Sequence, residues 1–228
     1  AGGTVSLPQM REGGIGICFA AILYRTSPAW REGSDMDAAT QSITYAQARG
    51  QLAYYELMEY QGEMRQIRNK RDLASRLDAW GEDLETSAPI GYVLRVEGAD
   101  PILSAEMVDE WWDRGMRSLS LAHFGVGTYA HGTGTTGGLR SGAIDLLEAC
   151  ETKGVLIDLT HLSDRSFWEV LDQYRGRVCA SHQNCRALVP GDRQMDDAQL
   201  TEIINLEGVI GTAFKGRSLH PDWPDSVA

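Results

Sequence analysis

The sequence has no apolar run of about 18 residues, so nothing in it reads as a membrane-crossing helix. It has no charged n-region followed by an apolar h-region, so no signal peptide is visible. The compartment is left open, with the cytoplasm favoured. Basic residues are few: 21 Lys and Arg stand against 32 Asp and Glu, for a formal net charge of −11. That balance argues against nucleic acid and anionic membranes as partners, and it is compatible with attraction for cations. There are four cysteines (Cys18, Cys150, Cys179, Cys185) and no CxxC pair. The first three sit in apolar or helical contexts and read as buried thiols rather than as a disulfide framework. Histidine is scarcer still than acid or base, with only five in the chain.

What is present is enough to build a core. The chain has 228 residues, 43% of them hydrophobic, and is read as one domain over 1–228. It opens on Ala1 and closes on a polar tail carrying Trp223, ends that look cut or processed.

Strand-like and amphipathic runs alternate along it. Residues 15–23 (IGICFAAIL) predict a buried strand, and 37–84, rich in Ala, Gln, Leu, Glu and Arg, predict long helical sequence. Further strands are expected at 90–97, 117–123, 155–161, 177–182 and 208–214. Helices are expected at 104–114 with Ser104 as N-cap, at 141–153 ended by Gly154, at 163–174 and at 196–206. Six short apolar strands alternating with helices predict a parallel sheet covered on both faces. An open doubly wound sheet and a (β/α)8 barrel both fit that pattern.

The few histidines favour the barrel. Glu97, His123, His161 and His182 each close a separate apolar run: IGYVLRVE, RSLSLAH, VLIDLTH and RVCASH. An open sheet gathers ligands at one switch point, whereas a barrel brings successive strand ends to one rim. Strand alternation places His161 on the face of Leu159, Ile157 and Val155, His182 with Ala180 and Val178, and His123 with Leu121 and Leu119. Glu97 shares its face with Arg95, which sets one inward charge beside another. Carboxylate and neutral imidazole suit zinc and similar ions, and the lack of cysteine in the set favours a catalytic site.

Other residues are read more plainly. Asp158 falls on the opposite strand face from His161 and is expected to meet the helix layer, or to stand behind the ligands. Arg186 and Arg193 follow His182 in a loop and offer a clamp for a substrate carboxylate. GTGTTG at 132–137 matches G-x-G-x-x-G without directly following a strand, so it reads as a flexible loop over the site, not a dinucleotide fingerprint. His131 in that loop and His220 in the tail are expected to face solvent.

These stretches resemble the membrane (renal) dipeptidase family, peptidase family M19. The likeness is carried by VEG at 96–98, GMRSLSLAH at 115–123, GVLIDLTHLSD at 154–164 and SHQNCRAL at 181–188, with Arg193 beyond. LPQMREGGIGICF at 7–19 is similar to the segment after that family's first strand. The resemblance implies a (β/α)8 TIM-type barrel with a two-zinc centre that hydrolyses dipeptides, in some members D-residue dipeptides or β-lactams, and often forms homodimers. It implies that Glu97 bridges both metals and that His161 and His182 hold the second. It further implies that His123 contacts substrate and steadies the tetrahedral intermediate, and that Arg193 binds the terminal carboxylate.

Two family elements are not met. The H-x-D pair that holds the first metal on the family's first strand is read neither before Leu7 nor anywhere else, and the eighth strand would lie beyond Ala228. The expectation is a fragment covering about strands 2–7, with at most one partial zinc site and little or no activity. Two competing readings are a non-catalytic barrel relative with a binding or scaffold role, and another metal-dependent hydrolase acting on lactones, ureas or phosphoesters.

Overall fold

A computed structural model describes residues 5–27, 35–82, 88–220 and 222. Trp223 and the last two residues of the 37–84 helical reading lie outside them. The chain begins with helix α1 (Leu7–Glu12) and strand β1 (Ile17–Ile22), followed by the short pair β2 (Arg25–Thr26) and β3 (Asp37–Ala38). Helix α2 (Gln41–Tyr60), strand β4 (Met64–Gln66) and helix α3 (Lys70–Glu82) come next. Strand and helix then alternate: β5 (Ile90–Glu97), α4 (Met107–Asp113), β6 (Met116–Ser120), α5 (Ala143–Lys153), β7 (Leu156–Asp158), α6 (Asp164–Gln173), β8 (Val178–Ala180), α7 (Asp197–Asn205) and β9 (Val209–Ile210). The short helix α8 (Gly216–Leu219) ends the described chain.

One parallel sheet of seven strands runs β1-β5-β6-β7-β8-β9, with β4 docked on the start of β5. β4 corrects the expectation of uninterrupted helix over 37–84. Its sequence, MRQ, has little strand character. Its pairing holds it instead, with Met64 opposite Ile90 and Gln66 opposite Tyr92, helped by the Gln66 amide N–H donating to Glu59 Oε1 at 3.0 Å. The separate β2–β3 pair was likewise not foreseen. The last strand is shorter than expected, two residues instead of seven. Ser104 does not cap α4: that helix starts three residues later, after Glu106, which makes no side-chain cap bond.

The stop at Gly154 acts as read, and the structure adds two N-caps. Gly154 ends α5 in the left-handed region (φ 75°), and the Ser163 side chain accepts from the Ser166 N–H. Asp196 and Gln199 form a reciprocal capping box at the start of α7. Asp196→Ala therefore removes an acceptor from the first turn and is expected to cost about 1 kcal/mol in denaturant unfolding. No loss of stability would show that β9 and the neighbouring loop hold α7 without its cap.

The sheet curls like the wall of a barrel. β5 and β8 are separated by two strands, so on a flat sheet they would lie roughly 14 Å apart. Yet Glu97 Oε1, at the end of β5, is 3.3 Å from Nε2 of His182, just past β8. Leu94, Val96, Leu119, Ile157 and Leu159 of the sheet are all fully buried. Trp111, Leu146, Phe167 and Val170 pack from the outer helices. The four cysteines are free thiols. Burial pushes Cys150 up to about 12, so it stays protonated and inert at neutral pH.

Candidate metal centre at the strand ends

The curl brings the four singled-out side chains to one rim. Glu97 is the last residue of β5. The imidazoles come slightly later than read, in the loops just beyond the strands: β6 ends at Ser120, β7 at Asp158 and β8 at Ala180. Three imidazoles converge on one carboxylate oxygen. Nε2 of His182, His161 and His123 lies 3.3, 3.5 and 3.9 Å from Glu97 Oε1. The His161 and His182 Nε2 atoms are 3.2 Å apart.

The donor set fits a small divalent cation. A tetrahedral ion with ligands at about 2.0–2.1 Å spaces its donors by about 3.3 Å, and the Glu97–His161–His182 triangle has edges of 3.2–3.5 Å. The Thr133 hydroxyl donates to the His161 carbonyl at 3.2 Å, and its oxygen is also 3.2 Å from His161 Nδ1. The ring then donates through Nδ1 and keeps the Nε2 lone pair for a cation. Burial is the largest influence on both inner rings. It pulls His161 down to about 4 and, reinforced by the His161 charge, His123 down to about 3. Both are therefore neutral at physiological pH, the form that binds metal. Burial opposes ionisation of Glu97, but the His161 and His182 imidazoles beside it and the Arg95 charge outweigh it and hold the carboxyl well below its usual range.

The backbone at His161 differs from the regular strand expected. Its φ is +72°, left-handed and uncommon for a residue with a Cβ. The strand stops at Asp158, so simple alternation through to His161 does not hold. Asp158 is consequently not in the helix layer. It is fully buried and inward, with Oδ2 3.1 Å from Arg95 Nε and Oδ1 accepting from the Thr160 and Ser181 N–H groups at 3.0 Å. The inward pairing of Arg95 with Glu97 is present at 2.9 Å.

A cavity of about 410 Å³ opens beside the cluster, lined in part by His123, Phe124, His161, His182, Arg193 and Lys215. Arg193 reaches it while anchored to Gln183 Oε1 at 2.7 Å and the His182 carbonyl at 2.8 Å. Arg186 does not line it, being held in a two-pronged ion pair with Asp164 at 2.6 and 2.9 Å. The 132–137 stretch is a loop, as read, but a tethered one. The Gly134 N–H donates to Asp192 Oδ2 at 2.7 Å, and Gly132 bridges to Leu162. Gly132 packs so closely under His123 that a Cβ there would sit 2.0 Å from its carbonyl oxygen. His131 is half-buried with its ring against Gly137, not turned to solvent, because the same bridges fold the loop inward. His220 is exposed as expected. An H-x-D spacing does occur there, at His220–Asp222, but beyond the last helix, and among the described residues it joins no metal-type cluster. Glu97, His123 and His161 do form one, with ligand atoms within 4.8 Å of one another.

Sequence reasoning paired Arg95 with Glu97 but missed its contacts with Asp158 and Ser181, and it missed Thr133. Thr133 gave no signal, since it arrives from a distant loop. Arg95 at i−2 from Glu97 was the available clue.

A curled parallel sheet with outer helices and a carboxylate–imidazole cluster at the C-terminal strand ends defines a (β/α)-barrel protein whose polar site sits in the βα loops. The chain belongs to the membrane dipeptidase family, peptidase family M19, whose family model matches residues 1–227. It is 30% identical over 150 residues to an uncharacterized protein in the PQQ-III 3′ region of Acinetobacter calcoaceticus, covering 62% of this chain and 48% of that one. It is 23% identical to the dipeptidase tcpJ of Claviceps purpurea, covering 93% and 49%. Among solved structures, the M19 metallo peptidase dipeptidase AC superposes with a TM-score of 0.81 at 24% identity, covering 97% of this chain and 66% of that one. A Rhodobacter sphaeroides metallo peptidase, liganded with a phosphinate mimic of L-Ala-D-Ala, superposes at 0.80 with 23% identity, covering 97% and 68%. The chain spans about a third to a half of the length of the curated relatives it matches.

Proposed function

We propose that this protein is a metal-dependent dipeptidase, with zinc the ion that suits its donors, and that residues 1–228 form one barrel domain of it. Glu97, His161 and His182 hold the ion, His123 serves the reacting carbonyl, and Arg193 takes the substrate carboxylate. The observation that carries this reading is the 3.2–3.5 Å donor triangle at the edge of a cavity with Arg193 on its wall. When bound, such an ion activates water and polarises an amide carbonyl.

The chain's own groups do the rest. Two of Arg193's donors are spent on Gln183 and the His182 carbonyl, which fixes the guanidinium on the wall of the cavity. A dipeptide carboxylate docked there sets the peptide carbonyl against the histidines. His123 is neutral, so its one N–H is available to an oxygen gaining negative charge, and it stays in that form at neutral pH. Phe124, edge-on to His123 at 5.0 Å, lines the same cavity with an apolar surface.

The test is binding of a phosphinate dipeptide mimic with and without zinc, alongside a dipeptide hydrolysis panel. Mimic binding is expected to require zinc. Arg193→Met is expected to weaken it about 10–100-fold, the worth of a charge-assisted contact, with zinc binding unchanged. Zinc uptake with neither mimic binding nor hydrolysis of any dipeptide would sink the assignment, and lactone or phosphoester turnover by the same samples would replace it.

A further inference from the structure

The ligand-bearing strand ends are joined from beneath by one buried ion pair. Arg95 exposes 5% of its side chain and Asp158 none. The Arg95 guanidinium touches three neighbours. Nη2 lies 2.9 Å from Glu97 Oε1, Nε lies 3.1 Å from Asp158 Oδ2, and Nη1 donates to Ser181 Oγ at 2.8 Å. Ser181 Oγ is in turn 2.8 Å from Nδ1 of the His182 ring. The other Asp158 oxygen accepts from the N–H groups of Thr160 and Ser181, the residues just before His161 and His182.

Every member of the donor triangle is thus reached from this pair. Glu97 is reached directly, His182 through Ser181 and its own backbone, and His161 through the backbone that precedes it. Burying two charges is expensive, and an apolar pair of similar volume often serves stability as well or better. What an apolar pair cannot do is engage a carboxylate and a hydroxyl at once: Nη1 hydrogen-bonds Ser181, while Nη2 and Nε meet Glu97 and Asp158 as close ion pairs outside hydrogen-bond geometry. The planar, multi-donor guanidinium does so, whereas a lysine ammonium is a single flexible point charge.

We infer that Arg95, locked by Asp158, is a positioning residue that sets the metal-binding geometry of Glu97 and His182. The inference rests on the metal reading above. It differs from simple charge balance, which would need only a positive charge at this place.

Cobalt(II) titration of the chain separates the two, because affinity and the visible ligand-field bands report geometry without any need for turnover. Arg95→Lys keeps the charge and loses the fork. It is expected to bind cobalt about 10–100-fold more weakly, with altered bands, the usual scale for losing a group behind the ligands. Ser181→Ala is small and neutral and removes only the arm to His182. It guards against a lysine variant that fails to fold, and it is expected to bind about 10-fold more weakly. Imidazole nitrogen NMR of the metal-free chain supplies a second readout, in which Ser181→Ala is expected to shift the His182 signals and leave those of His123 in place.

Wild-type cobalt affinity in both variants overturns the positioning role while leaving the metal reading intact. No cobalt uptake by the wild type, with His182 still displaced in Ser181→Ala, does the reverse. Unchanged His182 signals in Ser181→Ala count against the positioning role whether or not cobalt binds.

Discussion

Glu97→Gln is expected to abolish metal uptake, weakening it by more than about 100-fold, since changes merely behind the ligands already cost about 10–100-fold. Glutamine keeps the shape of the side chain and removes its charge. Two neutral imidazoles then face an amide, and the Arg95 guanidinium 2.9 Å away loses one of its two anionic neighbours. The charge of the Glu97–Arg95–Asp158 group goes from net negative to neutral, which removes the field that attracts the ion. Isothermal titration with zinc or cobalt reads the effect, and circular dichroism shows whether the fold survives. A folded Glu97→Gln variant that binds metal within a few-fold of wild type would show that the ion sits elsewhere.

Trp111→Ala is expected to produce the largest loss of stability, about 3–5 kcal/mol. Trp111 is 1% exposed on the inner face of α4 and meets the Tyr45 ring edge-on at 6.3 Å. It is the bulkiest of the fully buried side chains. Truncation leaves a cavity between the outer helices and the sheet. Trp111→Phe should cost far less. The indole Nε1–H is buried and has no partner among the described residues, so phenylalanine removes an unsatisfied donor along with part of the ring. Urea unfolding of the two variants checks this, and equal losses for Ala and Phe would mean that the indole nitrogen does find a partner.

Much of the fold could be read locally. The caps at Ser163 and Asp196 and the stop at Gly154 depend on a few adjacent residues, and they appear where the side-chain chemistry places them. β4 could not be read that way. Met64–Gln66 is strand only because β5 offers it a free edge, and a three-residue run carries no period from which to recognise it. Ser104 failed as a cap because a separate turn, in which the Met107 N–H donates to the Ser104 carbonyl at 3.1 Å, precedes α4.

The site divides along the same line. Glu97, His123, His161 and His182 stood out because scarce residue types closed successive apolar runs, and the structure gathers all four. Loop position offered Arg186 and Arg193 alike, the family resemblance singled out Arg193, and of the two it is Arg193 that lines the adjoining cavity. Asp158 was assigned to the wrong face because alternation presumes an unbroken strand.

The sequence by itself determined the alternation of strand and helix from Ile90 onward, the parallel sheet and the residue types delivered to one rim. These depend on spacing along the chain, and periodicity and capping act over a few residues. The tertiary structure alone decided how those residues meet. The left-handed turn at His161, the Thr133 hydroxyl that fixes its ring, and the Arg95–Asp158 pair under the ligands all depend on contacts between segments from 28 to 86 residues apart. Such contacts exist only once the sheet has curled, because curvature turns strand ends that are distant on a flat sheet into neighbours.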